Sequence, residues 1–304
     1  MDEAIVGAFE GCLLGLALGD ALGAPHEGGP IERFLWLLIG KTRQGEMRWT
    51  DDTQMAVDIA ESLLSKGTLD PDDLAVRFAR NYRWSRGYGP AAAKLLKRIA
   101  RGDDWRRANR SVYPEGSFGN GGAMRAPVVG LYYAGSLESL AEAARLSASV
   151  THSHPLAIEG AVLVATATAL SALGRCPQDV LRGASSCCQS DPFIQRLELA
   201  AAWLRSGNES PVKEVKRQLG NGIAATESCV TAIYIALRFA ERPFEEMLDF
   251  AVECGGDVDT IGAMAGAIWG AANGIAKLPV DKLAKLEQCE RLKALAVALH
   301  ERRS

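Results

Sequence analysis

Apolar residues recur along this chain at helical spacing. Met55, Ile59, Leu63 and Leu64 mark one helix face that stops at Gly67. The same reading predicts helices over 2–22, 31–39, 53–67, 71–84, 90–99, 136–149, 155–173 and 177–189. It continues with 192–205, 227–239, 244–254, a helix from the acids near 257 to Asn273-Gly274, and 281–302. Pro71 falls near the start of its helix, where a missing N–H costs nothing. Alternating Val, Ile and Thr bounded by hairpin turns is missing, so the expected fold class is all-α. No linker or low-complexity tract interrupts the pattern, and a single domain over residues 1–304 is expected.

Glycine modulates two of these helices. Gly11, Gly15, Gly19 and Gly23 recur every fourth residue, and so do Gly262, Gly266, Gly270 and Gly274. Each glycine weakens a helix by up to ~1 kcal/mol relative to alanine, so close packing is the expected compensation. Two smooth ridges suit a close crossing, although one sequence does not establish that they meet each other. A membrane motif of small residues is the alternative. Asp20 and Asn273 oppose it, and no run reaches the ~20 apolar residues a bilayer requires.

Composition narrows the function class. With 304 residues and 48% hydrophobic content the chain can bury a large core. A formal charge of −3 gives no electrostatic reason to expect a nucleic-acid surface, and Arg106, Arg107 and Arg110 read as a solvated helix face. The seven cysteines lack CxxC spacing, which fits a reducing compartment better than a disulfide framework. Met1-Asp2-Glu3 carries acids where a signal peptide carries Lys or Arg. A cytoplasmic, monomeric protein without membrane contact is expected.

The chemistry concentrates in two acidic stretches, Trp49-Thr50-Asp51-Asp52-Thr53 and Gly255-Gly256-Asp257-Val258-Asp259-Thr260. If they meet, Asp51, Asp52, Asp257 and Asp259 share one pocket, and two carboxylates ~5 Å apart repel by roughly 3 kcal/mol at an effective dielectric of ~20. Such a cluster calls for cations. Oxygen donors without interleaved Cys or His point to Mg²⁺, Mn²⁺ or Ca²⁺, and four carboxylates balance two divalent ions. Each stretch alone also reads as a helix cap or a complement to a helix dipole. Glu27, in the loop 23–30, gains interest from its place beside the first glycine ridge. The loop Gly116-Ser117-Phe118-Gly119-Asn120-Gly121-Gly122 can bring backbone N–H groups against an anion, though it matches neither the P-loop nor the dinucleotide fingerprint. His152 is assigned a hydrogen bond to ligand, and His154 a cap. Arg86-Gly87-Tyr88-Gly89 reads as a turn that could also touch ligand.

Taken in order with Gly19-Asp20-Ala21-Leu22-Gly23, Gly119-Asn120-Gly121-Gly122-Ala123-Met124-Arg125 and Thr151-His152, these stretches closely resemble the ADP-ribosylglycohydrolase family from about residue 5 to residue 275. The resemblance implies a compact, orthogonal bundle of helices around two Mg²⁺ or Mn²⁺ ions. It implies hydrolysis of an N- or O-glycosidic bond at the distal ribose of ADP-ribose. An ADP-ribosylated protein or small conjugate would be the partner, and ADP-ribose the product. By the same resemblance Thr50, Asp51, Asp52, Asp257, Asp259 and Thr260 match the metal ligands, with Asp52, Asp257 and Glu27 catalytic. Ser117, Gly119, Asn120 and Gly121 match a diphosphate and ribose loop, Phe118 an adenine-stacking aromatic, and His152 a substrate-binding histidine. Members that act on arginine-linked ADP-ribose carry a further aspartate after the first acidic motif. Residues 86–92 contain no acid, which leaves serine-linked or small-molecule conjugates open. Relatives without activity, crystallins among them, make a binding or structural protein the alternative.

Overall fold

The computed structural model describes residues 2–207 and 210–303, with the side chains of 2–4 and 32 left out. Met1, at the head of the acidic N-terminus, lies outside the described residues. The longer helices are Asp2–Gly23, Pro30–Ile39, Asp51–Lys66, Pro71–Asn81, Pro90–Ile99, Leu137–Ser149, Pro155–Ala172, Pro177–Ser186, Asp191–Ser206, Ala225–Arg238, Phe244–Cys254, Val258–Asn273 and Cys289–Arg303. Among the described residues extended pairing is confined to three isolated bridges, so the fold is all-α.

The two glycine ridges are each other's partners. A Cβ on Gly11, Gly15 or Gly19 would fall under 3.0 Å from the carbonyl oxygen of Gly270, Gly266 or Gly262, and the reverse holds for Gly262, Gly266 and Gly270. The pairing runs antiparallel, with Gly23 against Val258 and Asp259. Backbones this close gain dispersion contacts that offset the low helix propensity of glycine. The crossing also carries the end of the first helix to the start of the Val258–Asn273 helix. Helices Pro155–Ala172, Ala225–Arg238 and Cys289–Arg303 cover the pair and complete one continuous apolar core.

Several expectations change. Two segments, Ile5–His26 and Pro155–Ala172, are after all long and apolar enough to cross a bilayer, but 72% and 67% of them are buried inside the protein. Their hydrophobicity is that of core helices. The expected helix over 71–84 ends at Asn81, because Tyr82 turns extended. The expected helix over 281–302 is broken into Val280–Leu283 and Cys289–Arg303. Between them Gln288 takes a left-handed φ of 57°, while Met47 N–H donates to the Lys285 carbonyl and Glu287 N–H to the Met47 carbonyl. The short helices Ala126–Tyr132 and Val212–Gln218 were not anticipated; the first is buried on every side and shows no amphipathic period.

Candidate functional site

Asp20 follows Gly19 in the helix crossing and is fully buried. Its carboxylate accepts from Thr50 N at 2.9 and 3.0 Å, from Thr53 N at 3.0 Å and from the Thr53 hydroxyl. Burial pushes this acid up to about 6 even though those hydrogen bonds pull it down. Asp20 thereby pins the N-terminus of helix Asp51–Lys66 to the ridge. Thr50 caps that helix, its Oγ1 accepting from Asp52 N at 3.2 Å. A hydroxyl oxygen keeps a second lone pair, so capping and metal ligation are compatible.

A second clamp lies behind Thr50. The buried Arg86 guanidinium donates to the Trp49 carbonyl at 2.6 Å and to both Glu287 oxygens at 2.6 and 2.8 Å, and it stacks 3.5 Å over the Trp49 ring. Arg86 is therefore structural and does not face the cleft. Its pair with Glu287 explains why the chain breaks helix there.

The second acidic stretch enters through two left-handed glycines, Gly255 and Gly256. A Cβ at Gly256 would collide with the carbonyl of Asn221, which accepts from Asp257 N at 2.9 Å. Asn120 Nδ2 donates to Asp257 Oδ2 and, at 3.0 Å, contacts Ser228 Oγ. The amide expected to bind substrate thus holds an acid in place. Asp259 accepts from Thr260 N at 2.8 Å in the first turn of its helix.

The two stretches meet in one cleft of about 320 Å³, lined by Glu27, Asp51, Asp52, Asp257, Asp259 and Thr260 together with Ser117, Gly119, Asn120, Gly121 and His152. Oxygens of Glu27, Asp257 and Asp259 lie within 4.8 Å of one another. Burial, reinforced by neighbouring carboxylates, raises Asp51, Asp52 and Asp259 well above the usual carboxylate range and takes Asp257 up to about 6. The Thr260 hydroxyl pulls against this at both Asp52 and Asp257. No Lys or Arg is among the described residues lining the cleft. Asp52 Oδ2 is buried without a hydrogen-bond partner, so the donor set has an unsatisfied demand for positive charge that hard divalent ions fit. A larger groove of about 590 Å³ between helices Pro177–Ser186 and Asp191–Ser206 has Glu198 as the one acid in its described lining, together with Arg182 and Arg205, and nothing comparable in chemistry.

The glycine loop lines the same cleft beside Asp257. Asn120 N–H donates to the Ile223 carbonyl and Ala225 N–H to the Phe118 carbonyl, which ties the loop to the 220–225 segment. Phe118 is exposed and meets the His154 ring edge-on at 6.1 Å. His154 caps helix Pro155–Ala172, its Nδ1 accepting from Leu156 N, so the two histidines are not a metal pair. Sequence reasoning missed Tyr113, Ile223, Met55 and Met124 in the lining and Asp20 behind it. Only Asp20 left a signal, as a charge inside an apolar helix.

The sequence model for ADP-ribosylglycohydrolase matches residues 1–304. An uncharacterized protein of Archaeoglobus fulgidus is 37% identical over 96% of both chains. ADP-ribosylhydrolase ARH3 of Mus musculus is 33% identical over 97% of this chain and 91% of its own, and that of Homo sapiens 33% over 96% and 92%. A solved structure titled ADP-ribosylglycohydrolase-related protein complex superposes with a TM-score of 0.75 at 30% identity, covering 99% of this chain and 100% of that one. Matched along its whole length in sequence and in fold, the chain belongs to the ADP-ribosylglycohydrolase family.

Proposed function

We propose that this protein hydrolyses the glycosidic bond between the distal ribose of ADP-ribose and an acceptor, with two Mg²⁺ or Mn²⁺ ions as cofactors. The observation that carries the reading is the convergence of Glu27, Asp51, Asp52, Asp257 and Asp259 on one cleft beside a glycine-rich wall. Asp51, Asp52, Asp257 and Asp259, with the Thr50 and Thr260 hydroxyls, would hold the ions, and Glu27 lies beside them. Bound there, the ions would offset the carboxylate repulsion and supply Lewis acidity toward the ribose hydroxyls.

The chain's own groups account for the rest. Asn120 fixes Asp257, and Asp20 with Thr50 fixes Asp51 and Asp52. The ribose carbon loses its bond to the acceptor and gains the oxygen of water, while one water proton ends on the departing atom. Glu27 is only partly buried, unlike Asp52, Asp257 and Asp259, and is placed to carry that proton. Positive charge developing on the ribose faces the remaining carboxylates.

We assign the acceptor to the stretch of the lining formed by Gly87, Gly89, Pro90, Ala91 and Ala92, whose own side chains provide no carboxylate for a guanidinium. An oxygen-linked acceptor, a serine side chain or a small acyl conjugate, fits this wall better than arginine. The test is a panel of arginine-, serine- and acetyl-linked ADP-ribose incubated with Mg²⁺, with Mn²⁺ or with EDTA. Release of ADP-ribose from an oxygen-linked conjugate, abolished by EDTA, is expected. Binding of ADP-ribose by calorimetry without release from any conjugate would leave a binding module in its place.

A further inference from the structure

Arg125 stands behind the cleft with no exposed surface, at the N-terminus of helix Ala126–Tyr132. Nη1 donates to the Gly121 carbonyl, and Nη2 donates to the Ser147 carbonyl at 2.7 Å and to the Thr151 hydroxyl at 2.9 Å. A guanidinium has donors only, so the Thr151 oxygen must accept from it. That same oxygen lies 2.7 Å from Nδ1 of His152.

Two arrangements satisfy the second contact. If Nδ1–H donates to Thr151, one oxygen accepts twice and the hydroxyl hydrogen has no acceptor among the described contacts. If the Thr151 hydroxyl donates to Nδ1, both the hydroxyl hydrogen and Nδ1 are paired, while Arg125 Nε is unpaired in either arrangement and does not choose between them. The second arrangement leaves the imidazole proton on Nε2. That edge of the ring faces the glycine wall: a Cβ on Gly121 would come within 2.8 Å of Nε2, and one on Gly119 within 3.4 Å.

We propose that Arg125, acting through Thr151, is a positioning residue that fixes His152 as the Nε2–H tautomer and presents that N–H to the cleft as a donor to a ligand oxygen. The same guanidinium holds the Gly121 carbonyl, so loop and imidazole are set by one group. Burial, with Arg125 adding to it, pushes His152 down to about 3, and burial lowers Arg125 only to about 9. Across neutral pH the imidazole is uncharged and the guanidinium cationic, so the tautomer decides what His152 offers.

Long-range ¹H–¹⁵N spectra of the imidazoles test this, with His152 assigned among four histidines by His152→Gln. The wild type should show an acceptor-type Nδ1 and a protonated Nε2. Thr151→Val should mix the tautomers and weaken ADP-ribose binding about tenfold, the scale of one hydrogen bond lost to a charged or polar ligand group. Thr151→Ser should restore both. A protonated Nδ1 in the wild type, or a Thr151→Val spectrum identical to it, overturns the proposal. The ligand arm alone rests on the ADP-ribose reading: if no variant binds ADP-ribose yet the spectra behave as stated, that reading fails and the relay stands.

Discussion

Replacing Asp20 by asparagine probes the site through a residue that lies beneath it. Asparagine keeps the size but offers one acceptor oxygen where the carboxylate serves Thr50 N, Thr53 N and the Thr53 hydroxyl. The threonine hydroxyl can reverse and accept from the new amide, which leaves one buried backbone N–H stranded. A stranded donor costs ~1–3 kcal/mol, and loss of charge from the remaining bond brings the total to ~2–4 kcal/mol. With unfolding entropy near 2.1 cal/mol/K per residue, a chain of this size loses roughly 3–6 °C in Tm. Removing one negative charge relieves repulsion on Asp51 and Asp52, and that relief matters only without cations. The loss should therefore be larger in excess Mn²⁺ than in EDTA, read by differential scanning calorimetry in both. Equal Tm values for variant and wild type in both buffers would refute the role given to Asp20.

Gly266→Ala should lower stability although alanine is the better helix former, because its Cβ meets the Gly15 carbonyl and overpacking of this kind costs ~1–3 kcal/mol. Gly7→Ala in the facing helix meets open space and should gain up to ~1 kcal/mol; denaturant unfolding of the two variants compares them directly. The acids predict a pH dependence with a definite sign. Asp20 and Asp257 are raised to about 6 from an unfolded value near 3.9, so the folded chain binds more protons between those limits. In EDTA this contribution is fully present below pH ~4 and is lost as pH rises through ~6. Protons and ions compete for the same oxygens, so with Mn²⁺ present stability should instead fall on acidification; parallel slopes in the two buffers would count against ion binding.

The legible part of this molecule is the part encoded by local repetition. Glycines every fourth residue revealed both ridge helices, and two acids following a threonine or a glycine pair marked both halves of the cleft. What escaped was set by contacts distant in sequence. The helix break near Gln288 follows from Glu287 reaching Arg86, some two hundred residues away, and nothing in the 281–302 pattern announces it. Helix Ala126–Tyr132 is surrounded by core and has no polar face to give it a period. Asp20 was visible as a charge among apolar neighbours, but its partners Thr50 and Thr53 were not. The resemblance places Asn120 in a diphosphate and ribose loop, and it does line the cleft, but the contact of its amide with Asp257, 137 residues away, is written nowhere in the local sequence.

The most direct measurement is anomalous diffraction from crystals grown with Mn²⁺, compared between the wild type and Asp257→Ala. Two manganese peaks between Asp51, Asp52, Asp257 and Asp259 are expected in the wild type, with at least one lost in the variant while its fold is unchanged. A wild-type cleft that shows no manganese peak at saturating Mn²⁺ would contradict the metal-dependent hydrolase.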